Sequence, residues 1–266
     1  MLSNISQGRL VQFSERTTKI ILRVLSLIIF VAIWEMLAVY LDSLLFPRFS
    51  ETISALISLL GDPELWGALW LSNQAMIMGF LLAAVVGILL GLLIGRWKAA
   101  ERFVDPYLNI LLATPKTALI PIFIMAIGIG LLSRVLVTFT FAITVITVNV
   151  RAGLHTTNSA WVDMARSFGA TRRQLWFKIL LPGAFPGVVT GLRLGLTRAV
   201  SGMISVELLL VALGIGRLIL YYQDTFNVPK LYATIIVVIA ESLLLISLCK
   251  WIDRRLMFWR GEGITK

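Results

Sequence analysis

Residues 74–95, QAMIMGFLLAAVVGILLGLLIG, decide the fold class. No charged side chain interrupts them. A helix crossing the ~30 Å hydrocarbon core of a bilayer needs about 20 apolar residues, so the stretch reads as a membrane span. The whole chain agrees: of 266 residues, 58% are hydrophobic and 14% charged, with a mean hydropathy of +0.90. A soluble chain of this length needs far more polar surface. It also patterns its apolar residues at period 2 or 3.6 instead of massing them in blocks.

Five more apolar segments accompany this one: Val24–Leu41, Tyr107–Leu131, Val135–Val150, Gly183–Leu213 and Leu231–Cys249. The Tyr107–Leu131 segment is interrupted by Thr114-Pro115-Lys116-Thr117 and by Pro121. The expectation is an all-α membrane protein of about six transmembrane helices. Its membrane domain spans 24–249, with tails at 1–23 and 250–266. In the outer loop, 42–73, Glu51–Leu60 has helical apolar spacing that Gly61-Asp62-Pro63 breaks. Trp66 and Trp70 suit a second short helix lying at the outer interface. Gly87, Gly91 and Gly95, spaced by four, mark a face on which another helix packs closely.

Lys and Arg divide unevenly between the two sides. Seventeen fall on one side: Arg9, Arg16, Lys19 and Arg23; Arg96, Lys98 and Arg102; Arg151, Arg166, Arg172, Arg173 and Lys178; Lys250, Arg254, Arg255, Arg260 and Lys266. The other side has Arg48, Arg134, Arg217 and Lys230. The positive-inside rule then places both termini and the 151–182 loop in the cytoplasm. The net charge of +10 is thus largely an orientation signal, and no nucleic-acid partner is expected. Met1–Lys19 is polar and precedes a long apolar block, so no cleavable signal peptide is expected. The single cysteine, Cys249, and the single histidine, His155, exclude an internal disulfide and a multi-histidine metal site.

The 151–182 loop is long for a compact membrane protein. Trp161–Phe168 reads as a short helix that Gly169 stops. Thr171–Leu180 reads as a second helix, after which Pro182 opens the next span. Met164, Phe168, Leu175 and Trp176 make this hairpin apolar enough to bind a partner; the plainer alternative is a tether between two spans. Within it, Asp163-Met164-Ala165-Arg166-Ser167-Phe168-Gly169-Ala170 is followed by Ile179-Leu180-Leu181-Pro182. This arrangement resembles the EAA signature of binding-protein-dependent ABC importer permeases: Glu-Ala-Ala, three residues, Gly, and a later Ile-x-Leu-Pro. Asp163 and Met164 depart from that pattern, while Ala165, Gly169, Ala170 and Pro182 keep it. Thr114-Pro115-Lys116-Thr117-Ala118-Leu119-Ile120-Pro121 with Gly128-Ile129-Gly130 is similar to the nitrate/sulfonate/taurine subfamily. So are Pro182–Pro186, Gly191-Leu192-Arg193, Val206-Glu207 and Gly214-Ile215-Gly216.

The resemblance implies the type I ABC importer permease fold in a bacterial inner membrane. It also implies the partners: a second permease copy, two ABC ATPase subunits, an external solute-binding protein and membrane lipid. Asp163, Met164, Ala165, Phe168, Gly169, Ala170 and Pro182 would couple the chain to the ATPase. The chain has no Gly-x-x-x-x-Gly-Lys-Ser/Thr phosphate loop. It is therefore expected to be a transport subunit without its own ATPase motif and without a cofactor, ATP-Mg belonging to the partner ATPase.

Ionisable groups inside spans are costly and so are functional candidates. Thr114, Lys116, Arg198 and Glu207 are the candidates for the substrate pathway. Lys116 lies at the broken third span, and Glu207 near the outer end of the fifth, suited to an outer gate or to the binding protein. Cations in the cavity would favour small anions, and the resemblance implies which kinds: an alkanesulfonate, taurine, nitrate or an aromatic acid. Arg193 and Lys116 could instead pair with acids for packing, and Glu35 and Glu241 favour structural hydrogen bonding. Thr138, Thr140, Thr144 and Thr147 make the fourth span mildly polar, although threonine also bonds its own helix backbone. The alternative function is an ion-coupled secondary transporter acting without an ATPase. No convincing internal repeat supports it.

Overall fold

The computed structural model describes residues 3–209 and 213–256, all but the turns helical. Arg260, Lys266, positions 210–212 of the fifth apolar segment and the side chains of Arg9, Arg16 and Lys19 lie outside the described residues. Two compact units are formed. One is drawn from the chain up to Gly61 together with Tyr222–Thr234, the other from Asp62–Tyr221 and from Ile235 onward.

In the first unit, α1 (Ser3–Leu41) is continuous through the expected tail and becomes apolar at Ile21. Phe46 and Phe49, which flanks the start of α2 (Phe49–Leu60), pack with Tyr232 around Trp34 at ring-centroid distances of 5.6–6.0 Å. The Glu35 carboxylate accepts from Ser50 N–H at 3.2 Å and from its hydroxyl at 2.8 Å. An acid at a helix N-terminus satisfies an otherwise orphaned donor and complements the helix dipole. This is the structural hydrogen bonding expected of Glu35.

The second unit is built on three long helices: α3 (Pro63–Arg96), α6 (Leu131–His155) and α9 (Leu181–Leu209). Asp62 caps α3 by accepting from Glu64 N–H at 2.9 Å, and Pro63 supplies its pre-set φ at the first turn. The separate interfacial helix expected around Trp66 and Trp70 does not form. Once capped at Asp62, the chain meets no further breaker, and both tryptophans sit exposed on the first turns of the long span. The four-residue glycine spacing acts as expected. A Cβ at Gly91 would lie 2.7 Å from Val150 Cβ, and one at Gly95 2.7 Å from Leu154 Cδ1. On the other side of α6, Gly153 meets Gly187 of α9 so closely that a Cβ on Gly187 would lie 2.5 Å from the Gly153 Cα. Lipid tails are as apolar as leucine, so helices in a bilayer gain from close van der Waals approach, which small residues permit. Between the glycine faces, Met76, Ala83, Ala142, Ile146, Val150, Ala199 and Met203 form the core.

The third apolar segment is broken, but at one place. Helix α4 (Lys98–Ala113) stops at Thr114, whose ψ of 129° is the extended value imposed on a residue preceding proline. One 3-10 turn, Lys116–Leu119, leads into α5 (Ile120–Ile127), bent 95° from α4. Pro121 opens α5 instead of interrupting a helix, and Gly128, at φ +86°, ends it. Among the described residues, five helices are long and apolar enough to cross a membrane, and the bent pair makes up to six. The last, α11 (Val228–Leu256), follows α10 (Gly214–Asp224) and extends past the expected boundary at 249.

Candidate functional site

The hairpin begins with α7 (Ser159–Ser167), two residues earlier than the apolar pattern suggests, because Asn158 caps it by accepting from Ala160 N–H at 2.9 Å. It ends where expected. Gly169 has φ +76°, and Ala170 N–H reaches back to the Ala165 carbonyl at 3.0 Å, the long return bond of a helix closed by a left-handed residue. Thr171 then caps α8 (Arg172–Leu175): its hydroxyl accepts from Gln174 N–H at 3.3 Å, and Gln174 Oε1 accepts from Thr171 N–H at 2.8 Å.

Pro182 does not open a new helix. From Arg172 to Leu209 the helix is continuous, through a π turn at Trp176–Leu180 in which Leu181 N–H bonds to the Trp176 carbonyl five residues back. A widened turn immediately before a proline accommodates a ring that would otherwise clash with the carbonyl one turn earlier.

The hairpin surface carries Trp161, Met164 and Phe168, exposed by 55%, 57% and 86%. Asp163 lies 3.8 Å from Arg166, both largely in solvent, where such a pair contributes little. Asp163 is therefore an open acid beside an apolar patch.

A second locus forms at the break in the third span. Leu112, Thr114, Lys116, Phe141, Val145 and Arg198 line a cavity of about 210 Å³. Lys116 Nζ donates to the Phe141 carbonyl at 3.3 Å, and Thr114 donates its hydroxyl to Ile110 O at 2.7 Å. Among the described residues, no carboxylate pairs with Lys116 or Arg198. Two cations and a hydroxyl thus converge on one cavity at a helix break, an arrangement suited to holding an anion.

Glu207 does not line that cavity. Its side chain has no exposure. The carboxylate lies 2.8–2.9 Å from the Ser72 hydroxyl and 3.2 Å from Arg134 Nη1, and accepts from Gly216 N–H at 3.1 Å. Ser72 Oγ in turn accepts from Ile215 N–H at 2.9 Å. Arg134, counted from sequence among the outer-face charges, is buried beside it with 2% exposure. This set of hydrogen bonds ties α3, α6, α9 and the start of α10 together.

Other candidates resolve into packing. Arg193 lies 3.7 Å from Asp253 of α11, and Glu241 accepts from Asn73. Thr138, Thr144 and Thr147 are buried, and Thr138 meets Gly79 of α3. Sequence reasoning missed a cluster at the end of α6, where Arg151 pairs with Glu101 and Asp105 of α4 and His155 lies 3.1 Å from Glu101. Arg151 and His155 sit one turn apart, as do Glu101 and Asp105, and that matched i, i+4 spacing was the available signal. Among the described residues no group of three His, Cys, Asp or Glu side chains could hold a metal ion.

The chain matches the family described as binding-protein-dependent transport system inner membrane component over residues 83–258. The taurine transport system permease protein TauC of Escherichia coli (strain K12) is 28% identical over 236 residues, 86% of each chain. The formylaminopyrimidine transport permease protein ThiX of Halalkalibacterium halodurans is 33% identical over 185 residues, 70% of this chain and 74% of that one. Among solved structures, an inward-facing form of the MetNI methionine ABC transporter has a TM-score of 0.55 at 23% identity, over 73% of this chain and 92% of the other. The fold is that of type I ABC importer permeases. The five to six apolar spans, the bent helix pair, the hairpin and the family match agree: the chain belongs to the binding-protein-dependent inner-membrane components, and is the permease subunit of an ABC importer.

Proposed function

We propose that two copies of this chain form an anion pathway, with the 151–182 hairpin facing the cytoplasm and each copy docking one ATPase subunit. An external binding protein delivers the solute, and ATP-Mg is bound and hydrolysed on the ATPase. Both termini lie in the cytoplasm. Asp163, Met164, Ala165, Phe168, Gly169 and Ala170 form the contact, with Met164 and Phe168 entering an apolar groove. Pro182, in the helix that continues from the hairpin, fixes the widened turn through which motion of the docked element reaches α9.

The relatives above are named for taurine and for a formylaminopyrimidine, so their names do not choose one cargo for this chain. The observation that favours an anion is the convergence of Lys116, Arg198 and Thr114 on one cavity without a carboxylate. Placing two cations together at membrane depth is costly unless an anion visits them. The substrate class is a small anion such as an alkanesulfonate, taurine, nitrate or an aromatic acid.

The test is uptake into proteoliposomes holding the permease and its ATPase, with ATP inside and binding protein outside. Taurine, an alkanesulfonate, nitrate, benzoate and a neutral pyrimidine form the panel. Lys116→Gln or Arg198→Gln should lower uptake of the transported anion by roughly ten- to a hundredfold, the worth of a hydrogen bond to a charged group. ATPase co-purification should be unchanged. Uptake driven by an ion gradient without ATP would overturn the importer reading; selective uptake of the pyrimidine, indifferent to both substitutions, would overturn the anion reading.

A further inference from the structure

A pocket of about 360 Å³ lies between the end of α3 and the hairpin, distinct from the exposed face of Met164 and Phe168. Arg96, Arg166 and Arg172 line it, with Trp97, Trp176 and Leu175 among its other walls. No acid lines it. The Arg96 guanidinium lies 5.2 Å from the Trp97 ring centroid and 4.8 Å from that of Trp176. Cation–π stacking uses the faces of the guanidinium and leaves its in-plane N–H groups free to bind oxygen.

The position matters as much as the charge. Arg96 is the last residue of a 34-residue apolar span, and interfacial tryptophans sit at headgroup level. The pocket's volume falls in the range of small-ligand sites. Three arginines beside two indoles and an apolar wall present a cationic rim over a greasy floor. Inorganic phosphate would use only the rim, whereas a phospholipid would use both.

We infer that this pocket binds the phosphodiester headgroup of an anionic phospholipid, with Arg96, Arg166 and Arg172 on the phosphate and the indoles against the glycerol and upper acyl region. Basic pockets between helices on the cytoplasmic side of membrane proteins suit such lipids. The assignment to the inner leaflet rests on the cytoplasmic placement of the hairpin proposed above; the binding chemistry does not. A lipid seated here would brace the hairpin against the end of α3, making docking of the ATPase sensitive to lipid composition.

The experiment uses the importer complex in phosphatidylcholine nanodiscs that also contain brominated phosphatidylglycerol, or brominated phosphatidylcholine at the same mole fraction. Tryptophan quenching is read as the difference from a Trp97→Phe/Trp176→Phe variant. The anionic lipid should quench these two tryptophans at lower mole fraction than the neutral one. Arg96→Gln or Arg172→Gln should weaken that preference about fivefold each, and the charge-retaining Arg172→Lys should largely keep it. Equal quenching by both lipids overturns the inference. So does loss of the preference in millimolar inorganic phosphate, which would mark a free-anion site, or its appearance only after the ATPase is stripped away, which would mark a pocket filled by the partner. If no ATPase co-purifies but the preference persists, the proposed function fails and the lipid site stands.

Discussion

The Arg134 guanidinium lies 3.2 Å from the Glu207 carboxylate, and the two side chains are exposed by only 2% and 0%. They come from different long helices, 73 residues apart in sequence. Ser72 and the Gly216 N–H supply the remaining hydrogen bonds of the carboxylate, so the charge is both paired and solvated by protein. Desolvation offsets much of what such a pair gains, yet removing one partner strands the other.

Arg134→Met or Glu207→Gln alone should therefore destabilise the protein, by about 3–5 kcal/mol where a full charge is left unpaired. The double variant Arg134→Met/Glu207→Gln should recover part of the loss. Thermal unfolding of the purified protein, arranged as a double-mutant cycle, measures the coupling. Additive single effects would refute the pairing as an energetic unit.

Gly169 combines φ +76° with open space around the position where a Cβ would stand. Substitution there meets backbone strain and no clash. Gly169→Ala should cost about 1–2 kcal/mol of hairpin geometry, whereas Gly169→Asn, which tolerates the left-handed region, should cost less. ATP-driven uptake by the alanine variant should fall below that of the asparagine variant, with membrane insertion equal in both. A bulky residue such as valine should uncouple uptake from ATP hydrolysis.

Two glycines on one helix separate close approach from backbone entropy. A Cβ at Gly91 would lie 2.7 Å from Val150 Cβ and 2.8 Å from the Thr147 carbonyl, while at Gly67 nothing stands within 4 Å. Gly91→Ala should destabilise by about 1–3 kcal/mol through overpacking. Gly67→Ala should stabilise by roughly 0.5–1 kcal/mol through helix propensity. Opposite signs of the Tm shift would confirm the difference.

Arg151 is shared between Glu101 and Asp105, all three partly buried. Arg151→Gln releases Asp105 from the end of α6 and leaves Glu101 only its contact with His155. Hydrogen exchange of α4 should quicken in this variant, and more at low ionic strength than at high, because exposed and half-exposed pairs are screened by salt. Unchanged exchange would show that α4 is held by its other contacts.

Much of this architecture is encoded locally. A run of apolar residues, a proline after Thr114, a glycine after Phe168 and glycines spaced by four each act within one or two helical turns, so each can be read from a short window. That is why the spans, the break in the third of them, the end of α7 and the close-packing face of α3 were legible. Local windows misled where a breaker was weaker than its context. Trp66 and Trp70 joined α3 once Asp62 had capped it, and a π turn absorbed Pro182 so that the helix continued from the hairpin into α9.

What only the tertiary structure decided is which polar groups meet. Lys116, from the broken span, and Arg198, from α9, share a cavity because the 95° bend and the packing of α6 bring them there. Glu207, from the same helix as Arg198, instead turns to Arg134 and Ser72. The chain itself fixed which groups were too costly to leave alone in a bilayer. Only helix packing, acting across 73 to 135 residues of sequence, determined their partners.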